Sequence, residues 1–254
     1  MRSRIFCSWL AVAALNVVGT LAVAEPLSQQ DQLKRLAVLG PDFIVGPIEP
    51  PVIANSYEWI NRIPGNYVYQ VVSDTESEAS TQNEQHVLLA EESANSWQRV
   101  IEERLVETFI AEADKDIYIV SETDHKHGFR IEMKPGIHLP RQMTVGHEWA
   151  IDAAFTAYRI ENDERMGKGK ITATHTYEGA YRVRSPAGEF DAILLREDFQ
   201  IDIGPLKADD DRLLLLAKGV GLVAEVEGIK ASALFVYHTH EASAKMLADY
   251  PRRE

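Results

Sequence analysis

The sequence predicts an all-β protein: an antiparallel, strongly curved meander that forms an open or partial barrel, with short peripheral helices. Two observations predict this class. Segments with alternating apolar and polar residues recur along the chain, and turn formers such as Ser-Pro-Ala-Gly at 185–188 separate them. The connections are also shorter than the dozen or more residues that a parallel crossover needs. We expect the β domain to span residues 66–240.

The first 24 residues have the features of a secretory signal peptide. Arg2 and Arg4 precede an apolar run, and residues 22–24, Ala-Val-Ala, form a small-x-small cleavage pattern. A retained membrane anchor is the alternative, but polar and small residues at 16–20 interrupt the run. We expect cleavage near Ala24 and a location in the periplasm or outside the cell.

Composition excludes several classes of function. The formal net charge of the 254 residues is −13, and it becomes −15 without the first 24 residues, which carry two arginines. This excess of negative charge disfavours nucleic acid as a partner. The one cysteine, Cys7, lies in the signal, so the mature chain has no disulfide and no thiol chemistry. No later apolar run reaches the length of about 20 residues that crosses a bilayer.

Residues 25–65 are expected to form an extended, proline-containing arm that lies on the main domain. Five prolines, at positions 41, 47, 50, 51 and 64, prevent long helices and central strands there. Residues 29–38 have the composition for two or three helical turns.

The first half of the β domain contains one ambiguous segment. Residues 66–72, 85–90, 116–121 and 129–133 alternate as strands do. Residues 96–112 fit both a helix, with apolar residues at every fourth position, and two strands with alternating faces. The surrounding strands favour the second alternative.

The second half is more regular. We expect strands at 149–160, 170–184, 189–203, 213–218, 222–226 and 231–240. Residues 241–254 are expected to form a short C-terminal helix and tail, since Pro251 marks a helix end.

The segment "RVRSPAGEFD", residues 182–191, poses a choice between a reactive serine and a tight turn. Proline fits the second position of a type I turn, and glycine can close a hairpin with a bulge. This hairpin would pair Tyr181 and Val183 with Phe190, Ala192 and neighbouring residues across it. Neither G-x-S-x-G nor S-x-x-K surrounds Ser185, so the sequence indicates a turn.

Three segments carry a resemblance to a known group. They are "PGIHLPRQMTVGHEWAID" (135–152), "YEGAYRVRSPAGEFDAILL" (177–195) and "LLLAKGVGLVAEV" (214–226). With their V-G-x-x-W, P-A-G-x-F and G-V-G-x-V motifs, they resemble secreted bacterial envelope β-proteins of uncharacterised function, over roughly residues 65–240. The chain departs from that pattern at 216–218, where Leu-Ala-Lys replaces an aromatic residue and a proline. The resemblance implies a curved antiparallel sheet and no known reaction, ligand or catalytic residue.

Histidine pairs are the strongest candidates for metal ligands. His238 and His240 would share one face of a strand, and His125 and His127 lie near Asp124. Two imidazoles and a carboxylate suit Zn²⁺ or Cu²⁺ with an open position for water. A lone His-x-His is common, however, and charge runs such as 209–211 are typical of solvated turns. No complete cofactor signature is present, so we expect no cofactor.

Binding is the function that the sequence favours. A curved sheet can enclose a ligand cavity, and six aromatic residues alternate in a way that suits its lining: Tyr67, Tyr69, Trp149, Phe155, Tyr158 and Phe235. We therefore expect a non-catalytic protein that binds a lipid-like ligand or another envelope protein. The alternatives are a metal-dependent hydrolase that uses the histidine pairs, and a structural component of an envelope export assembly.

Overall fold

The computed structural model describes most of the chain after the predicted signal. The described residues are 27–60, 63–73, 80–89, 96–111, 116–203, 206–233 and 237–252.

Antiparallel strands make up most of the described chain, and one short α-helix precedes them. The helix, α1, spans Gln29–Leu36. The strands are β1 (Ile44–Pro47), β2 (Gly65–Ser73), β3 (Ser80–Leu88), β4 (Ser96–Ile101), β5 (Leu105–Ala111), β6 (Ile117–Asp124), β7 (Phe129–Leu139), β8 (Glu148–Arg159), β9 (Arg165–Ser185), β10 (Gly188–Ile203), β11 (Leu206–Ala217), β12 (Gly221–Ala233) and β13 (Tyr237–Asp249). Within the described residues, no helix has the length and apolar character needed to span a membrane.

The strands β2 to β13 form a closed up-and-down barrel. Each of these strands pairs with its neighbours in sequence, and β13 pairs with β2 to close the ring. The predicted all-β, strongly curved meander is therefore confirmed, and the sheet closes completely instead of remaining open. Closure leaves β2 to β13 without a free sheet edge over their paired length.

The segment 182–191 is a tight hairpin between β9 and β10. The predicted hairpin is confirmed, and its register pairs Tyr181 with Ala192 and Val183 with Phe190. Ser185 is buried, and its hydroxyl accepts a hydrogen bond from the Ala187 N–H at 3.2 Å. Ser185 therefore stabilises the turn, which agrees with the interpretation of this segment as a turn.

Two segments for which the sequence allowed or predicted a helix form strands in the structure. Residues 96–101 and 105–111 form β4 and β5, so the strand alternative for 96–112 is correct. The predicted helix at 241–254 is wrong, because β13 continues to Asp249. Its residues favour a helix locally, but pairing with both β12 and β2 closes the barrel and outweighs that preference.

The N-terminal arm packs against the barrel. In α1, the Ser28 hydroxyl caps the helix by accepting a hydrogen bond from the Asp31 N–H. Arg35 forms an ion pair with Asp211 on β11. Strand β1 pairs with residues 181–183 of β9, beyond the stretch of β9 that pairs with β8. The arm thus extends the barrel wall where β8 ends.

Alternation along β8 distinguishes the two faces of the wall. Trp149, Ile151 and Ala153 are buried, whereas Ala150 and Asp152 between them are exposed. The buried face is the inside of the barrel. Because residues paired across neighbouring strands lie on the same face, the register extends this assignment from β8 to the adjoining strands.

Candidate functional site

A row of polar and aromatic side chains crosses one wall of the barrel interior. Cα pairing connects Trp149 on β8 to His175, His175 to Glu197, Glu197 to Arg212 and Arg212 to Glu227 on β12. Since Trp149 faces the interior, the whole row does so. Four of the five side chains are polar, which is unusual for the inside of a small barrel.

A second row lies on β3 to β6. His86 pairs with Arg99, Arg99 with Glu107, and Glu107 with Glu122. The Arg99 guanidinium donates a hydrogen bond to the Glu107 carboxylate. Two carboxylates, Glu107 and Glu122, are therefore direct cross-strand neighbours.

The two rows belong to one set of ionisable groups, which we name the inner charged cluster. Its members are Glu84, Arg99, Glu107, Glu122, Glu197, Asp210, Arg212, Glu225, Glu227 and Lys245. Among the described residues, the cluster contains seven carboxylates and three cations. Even with one acid assigned to every cation, four acidic groups of this set remain inside the barrel.

Lys245 joins the two walls of the cluster. Its Nζ lies 2.9 Å from Glu84 Oε1 and 2.8 Å from Glu225 Oε2, and 5.2 Å from the centre of the Tyr69 ring. Burial alone would raise the pKa of Glu84, but Lys245 and Arg99 outweigh that effect and hold it well below its usual range. Glu225 and Glu84 overcome the effect of burial on Lys245 and raise its pKa. Glu84, Glu225 and Lys245 therefore remain charged at neutral pH.

Arg212 organises the other side of the cluster. Its guanidinium lies 2.5 Å from Asp210 Oδ2 and 2.8 Å from Glu227 Oε1. Although Arg212 is deep in the barrel, 31% of its side chain is exposed, as is 24% of the Glu227 side chain. Water therefore reaches the centre of the cluster. Burial raises the pKa of Asp210 and of Glu227 despite the attraction of Arg212.

Glu122 is another acid of the cluster whose pKa is raised. Burial raises its pKa to about 7, and repulsion from Glu107 adds to the effect, while the attraction of Arg212 offsets part of it. The carboxyl group is accordingly divided between its neutral and charged forms at neutral pH. A carboxyl group in this state responds to any cation placed beside it.

Aromatic rings line the interior beside the charges. Trp97 stacks on Phe109 with ring centres 5.3 Å apart, and Phe109 lies 5.1 Å from His138. Trp149 stacks on His175 at 5.0 Å, with only 6° between the ring planes. Burial lowers the pKa of His138 to about 4 and that of His175 to about 3, so both imidazoles are neutral.

Some buried polar atoms next to these rings have no hydrogen-bond partner in the protein. Trp149 is only 8% exposed, yet its indole N–H has no acceptor, and one carboxylate oxygen of Asp210, Oδ1, has no donor. Such groups are costly to bury unless water or a ligand satisfies them.

The six aromatic residues predicted as a cavity lining lie in different places. Tyr67, Tyr69 and Trp149 belong to the main core inside the barrel. Phe155 packs in a separate apolar cluster with Ala157 and Ile171. Tyr158 contacts the guanidinium of Arg130, whose Cζ lies 5.3 Å from its ring centre. Phe235 lies outside the described residues, so its predicted role stays a prediction.

The predicted histidine pairs differ in how much of them is described. His125 is exposed, whereas His127 Nδ1 lies 2.8 Å from Asp124 Oδ2 in the turn between β6 and β7. His238 and His240 lie on β13, where their backbones pair with 232 and 230. Across the side chains that are described, no group of three His, Cys, Asp or Glu residues is placed to hold a metal ion. Metal binding at 238 and 240 stays a prediction.

The inner charged cluster itself was not predicted from the sequence. Asp210 belongs to the run 209–211, which was interpreted as a solvated turn, yet it is only 7% exposed. The available signal was the alternation of Glu225 and Glu227 with apolar residues in "LVAEVEG". Alternation separates two faces of a strand but does not say which face is inside.

A shallower feature lies outside the charged cluster, between the arm and the loop that follows β7. This groove encloses about 320 Å³ and is lined by residues of 52–54 together with Gln142, Met143, Thr144 and His147. Its walls are mostly apolar, and no pair of charged groups converges on it within the described residues.

Comparisons with known proteins found similarity of structure only. No family model matches the chain, and no curated protein matches it significantly. One similar structure, described as an exported protein with a YmcC-like fold from Bacteroides fragilis, is 10% identical; the alignment covers 75% of this chain and 97% of that chain, with a TM-score of 0.40. A second, described as a lipoprotein from Parabacteroides distasonis, is 9% identical, with 75% and 96% covered and a TM-score of 0.37. Similarity at this level assigns no activity to this chain.

Proposed function

We propose that the protein is an exported, non-catalytic binding protein that holds a polar small molecule inside its barrel. The observation that carries the proposal is the inner charged cluster, which water reaches and in which acidic groups outnumber cations. A barrel needs only apolar side chains to fill its interior stably. Ion pairs inside it add little stability over well-packed apolar residues, so their presence supports a role in binding.

The lining also bears on the kind of ligand. A lipid-like molecule would displace water from Glu227 and Arg212 without replacing their hydrogen bonds, which is unfavourable. A polar molecule can instead supply donors and acceptors to groups such as the Trp149 N–H, which lacks an acceptor in the protein. Polar ligands therefore fit this interior better than the lipid-like ligand expected from the sequence.

Native mass spectrometry tests this function. The wild-type protein is purified without denaturation from the envelope of its own source, and Glu227→Gln and Glu161→Gln are purified in the same way. Glu161 is exposed in the turn after β8, so this variant makes the same chemical change away from the barrel interior. We expect an additional bound mass in the wild type and in Glu161→Gln that is lost or strongly reduced in Glu227→Gln.

Two results would contradict the proposal: a wild-type protein with no bound molecule, or a bound mass that Glu227→Gln leaves unchanged. Circular dichroism establishes that each variant is folded. If Glu227→Gln does not fold, Glu197→Gln replaces it, because Glu197 faces the same interior and its described contact is a neutral imidazole at 3.5 Å.

A further inference from the structure

The charge balance of the barrel interior determines which ligand it accepts. Within the described part of the inner charged cluster, seven carboxylates face three cations. Lys245 and Arg99 have close carboxylate partners, and Arg212 lies between Asp210 and Glu227. Every cation of the cluster is thus engaged, while several carboxylates share a cation or lack one at close range. A positively charged group is what this interior lacks.

Glu197 and Trp149 lie on either side of His175. Glu197 Oε1 is 3.5 Å from His175 Nε2, and Trp149 stacks on the same imidazole. Since His175 is neutral, the cation that attracts Glu197 is Arg212, which Asp210 and Glu227 already hold at close range. The Trp149 N–H is a donor without an acceptor in a side chain that is only 8% exposed.

The Glu197 carboxylate and the Trp149 N–H can each form a hydrogen bond with a complementary group of a ligand. A carboxylate accepts hydrogen bonds from an ammonium group, and an indole N–H donates to a hydroxyl or carbonyl oxygen. Trp149 and Glu197 lie on β8 and β10, with β9 between them, so their backbones are separated by about 10 Å, or two strand spacings. Because His175 lies between them, a ligand that meets both side chains must lie over this imidazole, on the side of the barrel axis.

The aromatic rings favour an organic ligand over a metal ion. Trp97 and Phe109 form a stacked pair, and Trp149 forms a second one with His175. Such faces attract organic cations and pack against flat, partly apolar rings. Bare metal ions require several converging ligands, and no suitable group of three exists among the described residues.

We infer that the barrel interior selects a hydroxylated organic cation, the chemistry of an amino sugar, with Glu197 receiving the ammonium group and Trp149 donating to a ring oxygen or hydroxyl. This inference rests on the proposed function. It deepens that proposal by naming the ligand class that the interior accepts.

Isothermal titration calorimetry with two matched sugars tests the inference. Glucosamine carries an ammonium group, and N-acetylglucosamine has the same ring with the charge removed. We expect glucosamine to bind the ligand-free wild type at least tenfold more tightly than its acetylated form. Glu197→Gln should abolish this preference, and Trp149→Phe should weaken the binding of both sugars. Glu161→Gln should bind both sugars like the wild type.

Three results would overturn the inference: equal or tighter binding of the acetylated sugar, no binding of either sugar, or competition by Ca²⁺ alone at similar affinity. The native mass spectrum separates this failure from failure of the proposed function. A neutral or anionic molecule that is lost in Glu227→Gln would leave the binding function standing and would refute the amino-sugar chemistry. A protein without any bound molecule that also binds neither sugar would refute both.

Discussion

Replacing Glu122 by glutamine removes an acid whose ionisation the barrel interior opposes. Glu122 lies inside the barrel next to Glu107, and burial followed by this repulsion raises its pKa from 4.5 to about 7. The native state therefore binds more protons at this site than the unfolded chain does between these two pH values. By linkage, the contribution of Glu122 to stability falls as the pH rises through that window.

The magnitude follows from the two pKa values. A difference between 4.5 and about 7 corresponds to an unfavourable contribution of about 3 kcal/mol once the pH is above 7. Glutamine has nearly the same shape and does not ionise. We expect Glu122→Gln to raise the free energy of unfolding by about 3 kcal/mol at pH 8, with the gain shrinking to near zero at pH 4.

Urea unfolding followed by far-UV circular dichroism at pH 4, 6 and 8 measures this difference on ligand-free protein. Glu161→Gln is the matched control, and its exposed position predicts a change of less than about 0.5 kcal/mol at every pH. A change in stability that is the same at all three pH values, or a loss of stability at pH 8, would refute the argument.

Two further substitutions probe the packing of the interior. Lys245→Met should lower the free energy of unfolding by about 3 kcal/mol or more at pH 7, because it leaves two buried carboxylates without their cation. Lys218→Met, which removes a surface ion pair, should lower it by less than about 1 kcal/mol. Urea unfolding compares the two variants, and equal losses of stability would contradict the buried role of Lys245. Gly136→Ala should lower the unfolding free energy by about 1–3 kcal/mol, because its Cβ would lie 2.7 Å from Ile151 Cγ2. Thermal unfolding measures this effect against Gly46→Ala, where the space around the new Cβ is open, and an unchanged melting temperature for Gly136→Ala would show that the contact can relax.

Local chemistry allowed much of the fold to be predicted. Turn formers and alternation predicted the β9–β10 hairpin and the residues that face each other across it, Tyr181 and Val183 on one side and Phe190 and Ala192 on the other. The same patterns predicted an all-β meander and a helical segment in the arm, which forms α1. These features depend on residues close together in the chain, so a single sequence contains the information that specifies them.

The C-terminal strand and the inner charged cluster depended on contacts between distant parts of the chain. Residues 241–249 have helix-forming composition, but they lie between β12 and β2, where backbone pairing satisfies both strand edges. Closure of the ring also decides which face of each strand is inside. Glu84, from β3, and Lys245, from β13, are 161 residues apart in sequence and form an ion pair.

By itself, the sequence determined most of the strand and turn pattern of this protein and the acidic composition of the chain. Only the tertiary structure decided that the C-terminal segment is a strand and that ten ionisable side chains on eight strands face one interior, because closing the barrel brings together strand faces that are distant in sequence. The pKa of Glu122 depends on that enclosure, since burial and the neighbouring Glu107 set it together. Local alternation marks two faces on every strand, and long-range pairing selects the one that becomes the inside.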